Sequence, residues 1–233
     1  MIKHNSLVIT ATYNEAENIE KFINEIVGAK FDLLIVDDNS PDGTANYVKN
    51  SKYFSSRLFL ISRQNKKGYG TAFIEGFIWG LSRGYDYLIS IDGDFSHRTE
   101  DLINLYSKKE DFDLIIGSRY TNGGKTLGWS LHRKLLSKYA NKIAKFVTNS
   151  NINDMTTGFR IYKSNSLRKV DFRNSKYNGY SFLVDLLNKC VESELSIKEL
   201  PITFVEREFG KSKMDIRIIF EGMRTLFKLY LNK

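Results

Sequence analysis

The segment Leu33-Leu34-Ile35-Val36-Asp37-Asp38-Asn39-Ser40-Pro41-Asp42-Gly43-Thr44 is the most informative stretch for the fold. Its first four residues form an apolar, partly β-branched run that is typical of a buried strand. The polar residues that follow, with Pro41 and Gly43 among them, indicate a turn that opens a helix. Strand, turn and helix in this order predict a βαβ unit and therefore a largely parallel sheet.

The same alternation continues on both sides of this segment. A helix is predicted after Asn14, which can cap it together with Glu17 in a capping box. Further strands are predicted at 7–10, 58–61, 88–91, 114–116 and 158–162, an edge strand within 196–205, and helices at 71–82, 129–147, 182–191 and 216–231. The pattern predicts an α/β fold with a Rossmann-like, mostly parallel sheet, helices on both faces and C-terminal amphipathic helices.

Length and composition restrict the class of protein. A chain of 233 residues has room for one domain, and 42% hydrophobic residues are enough for a core. The 35 Lys and Arg residues exceed the 27 Asp and Glu residues, and the net charge of +8 predicts an anionic partner: nucleic acid, a phosphorylated substrate or an acidic membrane face. The single cysteine, Cys190, excludes an intrachain disulfide and is expected to be buried and inert.

The N-terminal residues have no features of a signal peptide, and no apolar run approaches the roughly 18 to 20 residues that span a bilayer. We therefore expect a cytoplasmic protein whose contact with a membrane is peripheral.

Carboxylates follow two of the predicted strands. In open α/β sheets ligands bind beyond the carboxyl ends of the strands, and here those ends carry Asp37-Asp38 and Asp92-Gly93-Asp94. Residues i and i+2 of an extended segment point to the same side, so the second pair can converge on one hard cation. This predicts a divalent metal that bridges a diphosphate. Asp37 and Asp38 are equally consistent with turn or cap residues.

Other common sites are not supported by the sequence. It contains no Gly-x-x-x-x-Gly-Lys-Ser/Thr loop, and Gly68-Tyr69-Gly70 is followed by Phe73 where the dinucleotide fingerprint needs glycine. It also lacks a Gly-x-Ser-x-Gly elbow. An ATPase, a nicotinamide enzyme and covalent catalysis are therefore not indicated.

Six motifs together resemble those of family 2 glycosyltransferases. They are Thr12-Tyr13-Asn14-Glu15, 36–44, Asp92-Gly93-Asp94-Phe95-Ser96-His97, Gly117-Ser118-Arg119-Tyr120, Gly158-Phe159-Arg160 and 207–213. Within that family the chain looks most like the polyprenyl-phosphate sugar synthases, above all the dolichol-phosphate mannosyltransferases, from Leu7 to about Met214. The resemblance implies a single GT-A domain over 1–233, with a nucleotide-sugar-binding half at 1–117 and an acceptor-binding, membrane-facing half at 118–233.

The resemblance also implies roles for individual residues. Mg²⁺ or Mn²⁺ is expected on Asp92, Asp94 and Ser96, although Ser96 stands where relatives often have Gln and is doubtful as a direct ligand. Catalytic roles fall on Asp94, Arg119, Arg133 and Asp154; for Asp154, orienting an arginine is at least as compatible as a role on the acceptor. The nucleotide-sugar site comprises Ala11, Tyr13, Glu15, Val36, Asp38, Asp92, Gly93, Asp94, Arg119, Arg207 and Lys213.

The implied reaction is a metal-dependent, inverting transfer of mannose from GDP-mannose to a polyprenyl (dolichyl) monophosphate at the cytoplasmic face of a membrane. The alternatives are UDP-glucose or another nucleotide sugar with the same acceptor, and a family 2 transferase that acts on a glycan. A nucleic-acid-binding module is a remote alternative, because the acidic rim repels phosphates in the absence of a metal. The basic amphipathic stretch from Trp129 to Val147 is suited to a membrane interface, and a separate membrane-anchoring subunit is a further possible partner.

Overall fold

The computed structural model describes residues 5–177, 179 and 181–206. The predicted helix at 216–231 and the predicted site residues Arg207 and Lys213 lie outside these residues. Nine strands and seven helices occupy the described part: β1 Ser6–Thr12, α1 Ala16–Gly28, β2 Asp32–Asp37, α2 Thr44–Asn50, β3 Leu58–Ser62, α3 Tyr69–Ser82, β4 Tyr87–Ser90, α4 Thr99–Tyr106, β5 Leu114–Ser118, β6 Lys125–Leu127, α5 Leu131–Thr148, β7 Arg160–Lys163, α6 Ser164–Leu167, α7 Ser181–Glu192, β8 Ile197–Pro201 and β9 Thr203–Val205.

Seven strands form the central sheet in the order β3-β2-β1-β4-β7-β5-β8. All neighbouring strands are parallel except β7, which runs antiparallel to both β4 and β5. The short strands β6 and β9 pair in parallel as a separate two-stranded sheet. The predicted, mostly parallel α/β sheet is confirmed.

Helices cover both faces of the sheet, and the sequence explains how. Strand β2 is buried along its whole length, as expected for an interior strand with apolar residues on both sides. Its alternate residues enter two separate cores: Leu34 and Val36 pack in the core that includes α3 and α7, and Leu33 and Ile35 in the core that includes α1 and α4. Helix α3 lies close to the sheet, since a Cβ at Gly76 would be 2.5 Å from a methyl group of Ile9.

The predicted capping box at Asn14 is wrong. Helix α1 begins at Ala16 with Glu15 at the N-cap position, no side-chain cap bond is made there, and Asn14 has φ 57°. The amide donors are satisfied by the loop after β2: the Ala16 N–H donates to Asp42 at 2.9 Å, and the Glu15 N–H to the Thr44 hydroxyl at 3.1 Å. Side chains from that loop replace the local cap.

The segment 196–205 holds two strands instead of one. Strand β8 lies at the edge of the central sheet and ends at Pro201, which agrees with the predicted edge position of this proline. The chain then leaves the sheet through buried Ile202 and continues as β9. The predicted buried cysteine is confirmed, because Cys190 is fully buried and burial raises the pKa of its thiol to about 12. None of the helices within the described ranges is both long and apolar enough to cross a membrane.

Candidate active site

The first part of the candidate site lies at the carboxyl ends of β1 and β2. Ala11 and Val36 are directly paired in the register of these strands, and Tyr13 and Glu15 follow β1. Asp38 follows β2 and is buried. These five of the residues predicted for the nucleotide-sugar site therefore lie at one edge of the sheet.

The Asp38 carboxylate organises the loop that leads into α3. It accepts hydrogen bonds from the backbone N–H of Lys67 at 2.8 Å and of Gly68 at 2.9 Å, and from the Arg63 guanidinium at 3.0 Å. Arg63 is itself buried and also bonds Glu75. The neighbouring Asp37 accepts bonds from Thr12 and Ser40, so both carboxylates hold backbone loops at this rim, as the turn interpretation expects.

The predicted metal-binding pair follows β4. Oδ1 of Asp92 accepts a hydrogen bond from the Tyr69 hydroxyl at 2.9 Å. Oδ1 of Asp94 accepts from the backbone N–H of Ser96 at 3.1 Å and from its buried hydroxyl. The structure thus places Ser96 against Asp94, where its hydroxyl orients that carboxylate.

The chemistry of this pair fits Mg²⁺ or Mn²⁺ held in part by a substrate. No cluster of three or more His, Cys, Asp or Glu side chains suited to a metal occurs among the described residues, so the carboxylates available to a metal at this position are the two predicted aspartates. Mg²⁺ is commonly bound by one or two carboxylates together with substrate phosphates and water. Asp92 and Asp94, separated by buried Gly93, provide such a donor set.

An aromatic stack connects the acidic pair to the arginines. His97 Nε2 lies 3.4 Å from Oδ2 of Asp92, without the geometry of a hydrogen bond, and the His97 ring contacts Phe204 with centroids 5.1 Å apart. Phe204 contacts Trp129 at 5.2 Å between centroids. The guanidinium carbons of Arg119 and Arg133 lie 5.5 Å and 4.2 Å from the centroid of the Trp129 ring.

Arg119 and Asp154 form a buried ion pair. Asp154 is fully buried and accepts from the backbone N–H of Arg119 at 2.9 Å, from its Nε at 2.8 Å and from its Nη2 at 2.7 Å. Burial disfavours the charged carboxylate, but Arg119 outweighs that effect and holds the pKa of Asp154 below its usual value, with a further contribution from Arg160. Burial likewise opposes the charge on Arg119, whereas Asp154 raises the pKa of the guanidinium. Both groups are therefore ionised near neutral pH, and Asp154 orients Arg119.

Arg133 makes a more exposed ion pair. Its Nη1 donates to Oε1 of Glu206 at 2.8 Å, and the two side chains are 30% and 45% exposed. Glu206 directly follows β9, and its backbone N–H bonds the carbonyl of Leu127. A carboxylate of the chain thus occupies one donor of Arg133.

The structure brings most of the predicted catalytic and metal-binding residues into one region and adds several that the sequence did not single out. Tyr69, Trp129, Phe204 and Glu206 connect the predicted residues to one another. Phe204 and Glu206 reach the site through pairing between distant segments, so no local pattern predicts their contacts.

Helix α5 presents three different surfaces. Its N-terminus is capped by the Ser130 hydroxyl, and buried Asn141, Ala144 and Val147 face the core. On the outward side are the exposed apolar side chains, which we name the apolar strip: Leu131, Leu135, Leu136, Tyr139, Ile143 and Phe146. Phe146 is 76% exposed, which is unusual for a side chain of this size. Helical spacing places the lysines of α5 along one flank of the strip.

Comparison with known proteins identifies the family of the chain. The sequence model for the family described as "Glycosyl transferase family 2" matches residues 7–171. The chain is 38% identical over 219 residues to the undecaprenyl-phosphate mannosyltransferase of Micrococcus luteus, covering 93% of this chain and 90% of that protein. It is 40% identical over 222 residues to the polyprenol monophosphomannose synthase of Mycolicibacterium smegmatis, covering 94% and 84%.

Solved structures with the same fold include glucosyl-3-phosphoglycerate synthase from Mycobacterium tuberculosis. Its complex with Mn²⁺, UDP and glucosyl-3-phosphoglycerate superposes with a TM-score of 0.69 at 16% identity, covering 97% of this chain and 78% of that one. The complex with Mn²⁺, UDP-glucose and phosphoglyceric acid gives a TM-score of 0.67 at 16% identity, with the same coverage. At this level of identity the similarity concerns the fold, which is of the GT-A type.

Proposed function

The chain belongs to glycosyl transferase family 2 and is a glycosyltransferase, and from this premise we propose that it transfers mannose from GDP-mannose to a polyprenyl monophosphate. Two relatives that cover nearly the whole chain are named for mannose transfer to undecaprenyl phosphate and for the synthesis of polyprenol monophosphomannose. In this proposal residues 1–117 supply the nucleotide-sugar-binding half and residues 118–233 the acceptor-binding half.

The observation that carries the proposal is the position of Arg119 and Arg133. Both guanidinium groups lie against the Trp129 ring, and Arg133 is in the first turn of a helix with an exposed apolar strip. Arginine binds phosphate through two parallel donors, which makes it suited to a phosphorylated acceptor. A lipid phosphate needs cations for its head and an apolar surface for its chain, and these features occur here side by side.

The chemistry needs no general base. A phosphate monoester is largely ionised near neutral pH, so an acceptor oxygen can attack the anomeric carbon directly. A new bond forms between that oxygen and the anomeric carbon, while the bond from this carbon to the diphosphate oxygen breaks and its electron pair leaves with the nucleoside diphosphate. One displacement inverts the configuration at the anomeric carbon, and no proton has to move.

The protein has to bring two anions together. Arg119 is held in one orientation by Asp154 and can meet a phosphate without reorganisation, which lowers the cost of reaching the transition state. Arg133 exchanges its contact with Glu206 for the acceptor phosphate. A divalent ion on Asp92 and Asp94, when bound, supplies positive charge for the diphosphate of the donor. Asp154 acts in this scheme as a positioning residue.

The apolar strip supports a peripheral position at a membrane. An amphipathic helix with lysines beside its apolar face lies in the interface between headgroups and acyl chains. In this orientation the lipid acceptor reaches Arg119 and Arg133 without leaving the membrane surface. We propose the cytoplasmic face of the membrane as the place of the reaction, and a separate anchoring subunit remains compatible with it.

A lipid-extraction assay tests the function. The protein is incubated with Mg²⁺ or Mn²⁺, a polyprenyl phosphate and one of several labelled nucleotide sugars, and label in the organic phase is counted. We expect label from GDP-mannose and its loss in Asp94→Ala, with Asp171→Ala, an exposed carboxylate far from the rim in sequence, as the matched control. Label from UDP-glucose instead would correct the donor, and no lipid label from any donor would refute the proposed acceptor.

A further inference from the structure

Tyr69 connects the beginning of helix α3 to the predicted metal-binding pair. Its hydroxyl donates to Oδ1 of Asp92 at 2.9 Å. Tyr69 is the first residue of α3, and the preceding Gly68 donates its backbone N–H to Asp38 at 2.9 Å. The Tyr69 ring packs against the ring of buried Phe73, with centroids 4.8 Å apart. The backbone and the ring are therefore both held, and the fold sets the direction of the hydroxyl.

Gly158 leaves the space that this hydroxyl occupies. A Cβ at position 158 would overlap the hydroxyl oxygen of Tyr69. The same Cβ would lie 3.7 Å from Cζ of the Tyr69 ring and 3.4 Å from Oδ1 of Asp92, which are ordinary contact distances. The Gly158 carbonyl accepts a hydrogen bond from the Ser90 hydroxyl at 2.6 Å, so the backbone at this position is held in place. The room needed by one oxygen atom therefore accounts for glycine at the first position of Gly158-Phe159-Arg160.

A carboxylate that binds a metal ion needs a fixed orientation. The Asp92 side chain is 28% exposed, so burial alone does not fix it. A hydrogen bond from a hydroxyl to a charged carboxylate is stronger than one between neutral groups. Such contacts orient the ligands of a metal, and their loss typically costs about 10- to 100-fold in metal affinity. Asp94 has a comparable contact, because its Oδ1 accepts from the backbone N–H and the hydroxyl of Ser96.

We propose that Tyr69 is a positioning residue for the divalent ion: its hydroxyl orients the Asp92 carboxylate, and Gly158 keeps the place of that hydroxyl open. The inference rests on the divalent ion of the proposed function and adds a residue that acts on the metal only through Asp92. The segment that carries Tyr69 is also bonded to Asp38. One stretch of the chain thus holds both the predicted nucleoside pocket and the metal-binding pair.

The test measures Mn²⁺ binding without turnover. Free Mn²⁺ is followed by electron paramagnetic resonance while the full chain is titrated without nucleotide, with GDP and with UDP, in the absence of sugar donor and lipid. Tyr69→Phe removes one oxygen atom, and we expect the Kd for Mn²⁺ to rise about tenfold. Tyr85→Phe is the matched control, because the Tyr85 hydroxyl donates to Asp32 at the same distance of 2.9 Å. Asp32 begins β2, at the edge of the sheet opposite to the end of β4 that Asp92 follows, so we expect its Kd to stay unchanged.

A second pair of variants tests the space at Gly158. Gly158→Ala displaces the hydroxyl and should raise the Kd for Mn²⁺ about tenfold. In the double variant Tyr69→Phe with Gly158→Ala, the new methyl group enters the space of the missing oxygen. Independent effects would multiply to about 100-fold, but we expect the double variant to bind Mn²⁺ about as weakly as Tyr69→Phe. Saturating Mn²⁺ should restore kcat of Tyr69→Phe, which a general loss of structure would not allow, and melting temperatures check that all variants fold.

Each other outcome overturns a defined part of the inference. A Tyr69→Phe protein that binds Mn²⁺ as tightly as the wild type, or more tightly because the hydroxyl competes with the metal for Asp92, overturns the positioning role. An equal loss in Tyr85→Phe overturns it as well, since the loss would then be general. Effects that multiply in the double variant overturn the role of Gly158. A wild type that binds no Mn²⁺ overturns the inference even if it labels lipid, whereas the expected Mn²⁺ affinities without lipid labelling refute only the proposed acceptor.

Discussion

Replacing Asp154 with asparagine changes one buried charge and almost no volume. The carboxylate is fully buried, and both of its oxygens accept hydrogen bonds from Arg119. An amide keeps one acceptor oxygen and directs an NH₂ group at guanidinium donors, so at least one of these bonds is lost and the charge of Arg119 remains buried without its counter-ion.

The size of the effect follows from this geometry. Removing one partner of a buried ion pair costs about 3 to 5 kcal/mol, since the remaining charge is uncompensated. One retained hydrogen bond, worth about 1 kcal/mol, places the expected loss near the lower limit, about 3 kcal/mol. For a chain of this length, 1 kcal/mol corresponds to about 2 to 4 °C, so we expect the melting temperature to fall by about 6 to 12 °C.

Urea unfolding followed by circular dichroism measures the loss, and Asp171→Asn is the matched control. Asp171 is an exposed carboxylate that bonds the Asn174 amide, so its substitution should change the free energy of unfolding by less than about 0.5 kcal/mol. A double-mutant cycle with Arg119→Met isolates the pair. Removing both charges should cost about 2 kcal/mol less than the sum of the single substitutions, and additive losses would refute the assigned pairing.

The same variant separates a positioning role from a catalytic base. If Asp154 orients Arg119, Asp154→Asn lowers kcat/KM without changing the shape of its pH profile. If Asp154 takes up a proton in the reaction, the acidic limb of that profile disappears with the carboxylate. The second result would contradict a mechanism without a general base.

Three further substitutions test other parts of the structure. Glu206→Gln should lower the KM for polyprenyl phosphate by up to about fivefold in steady-state kinetics. The reason is that an exposed ion pair, worth at most about 1 kcal/mol, no longer competes for Arg133. An unchanged or higher KM would contradict this exchange. Gly76→Ala should lower the free energy of unfolding, measured by urea unfolding, by about 1 to 3 kcal/mol, since its Cβ would meet strand β1. Gly28→Ala, which has open space around its Cβ, should not lower it. Equal effects of the two substitutions would contradict the close packing of helix α3 on the sheet. Hydrogen bonds, above all the one from Ser166, lower the pKa of Asp113 from 3.8 to about 2. At most about 2 kcal/mol of stability is therefore present above pH 4 and is lost between about pH 4 and pH 2. Asp113→Asn should remove this pH dependence of the free energy of unfolding, and a retained dependence would assign it to other carboxylates.

Sequence patterns predicted the elements that depend on neighbouring residues. The apolar run of β2 and the turn before α2 were found because burial on both sides and turn chemistry leave local signals. The antiparallel direction of β7 and the cap of α1 left no such signal. Strand direction depends on which strands β7 joins, and the α1 donors are satisfied by Asp42, which lies 26 residues further along the chain. Local capping preference gave the wrong answer for α1 because a tertiary contact replaced it.

In the candidate site, too, local features could be predicted from the sequence and tertiary contacts could not. Asp92 and Asp94 were predictable from a strand end and a spacing of two, since both features are local. The full environment of Arg119 and Arg133 was not, because Trp129 reaches Arg119, and Glu206 reaches Arg133, from distant parts of the sequence. The resemblance to a family supplied the arginines but could not supply the contacts that distinguish one from the other.

In the proposed function, that distinction explains how two arginines bind one phosphate without repelling each other in the free protein. Each has a carboxylate, so the pair carries little net charge before the acceptor arrives. The Arg119 carboxylate is fully buried and stays in place, whereas the Arg133 carboxylate is about half exposed and can enter water at little cost when a phosphate replaces it. In the proposed function the charge of Arg133 therefore becomes available only with the departure of Glu206, at the point where the acceptor supplies the opposing charge. The excess of +8 in the whole chain does not reveal this arrangement, because it averages paired arginines with the lysines of α5.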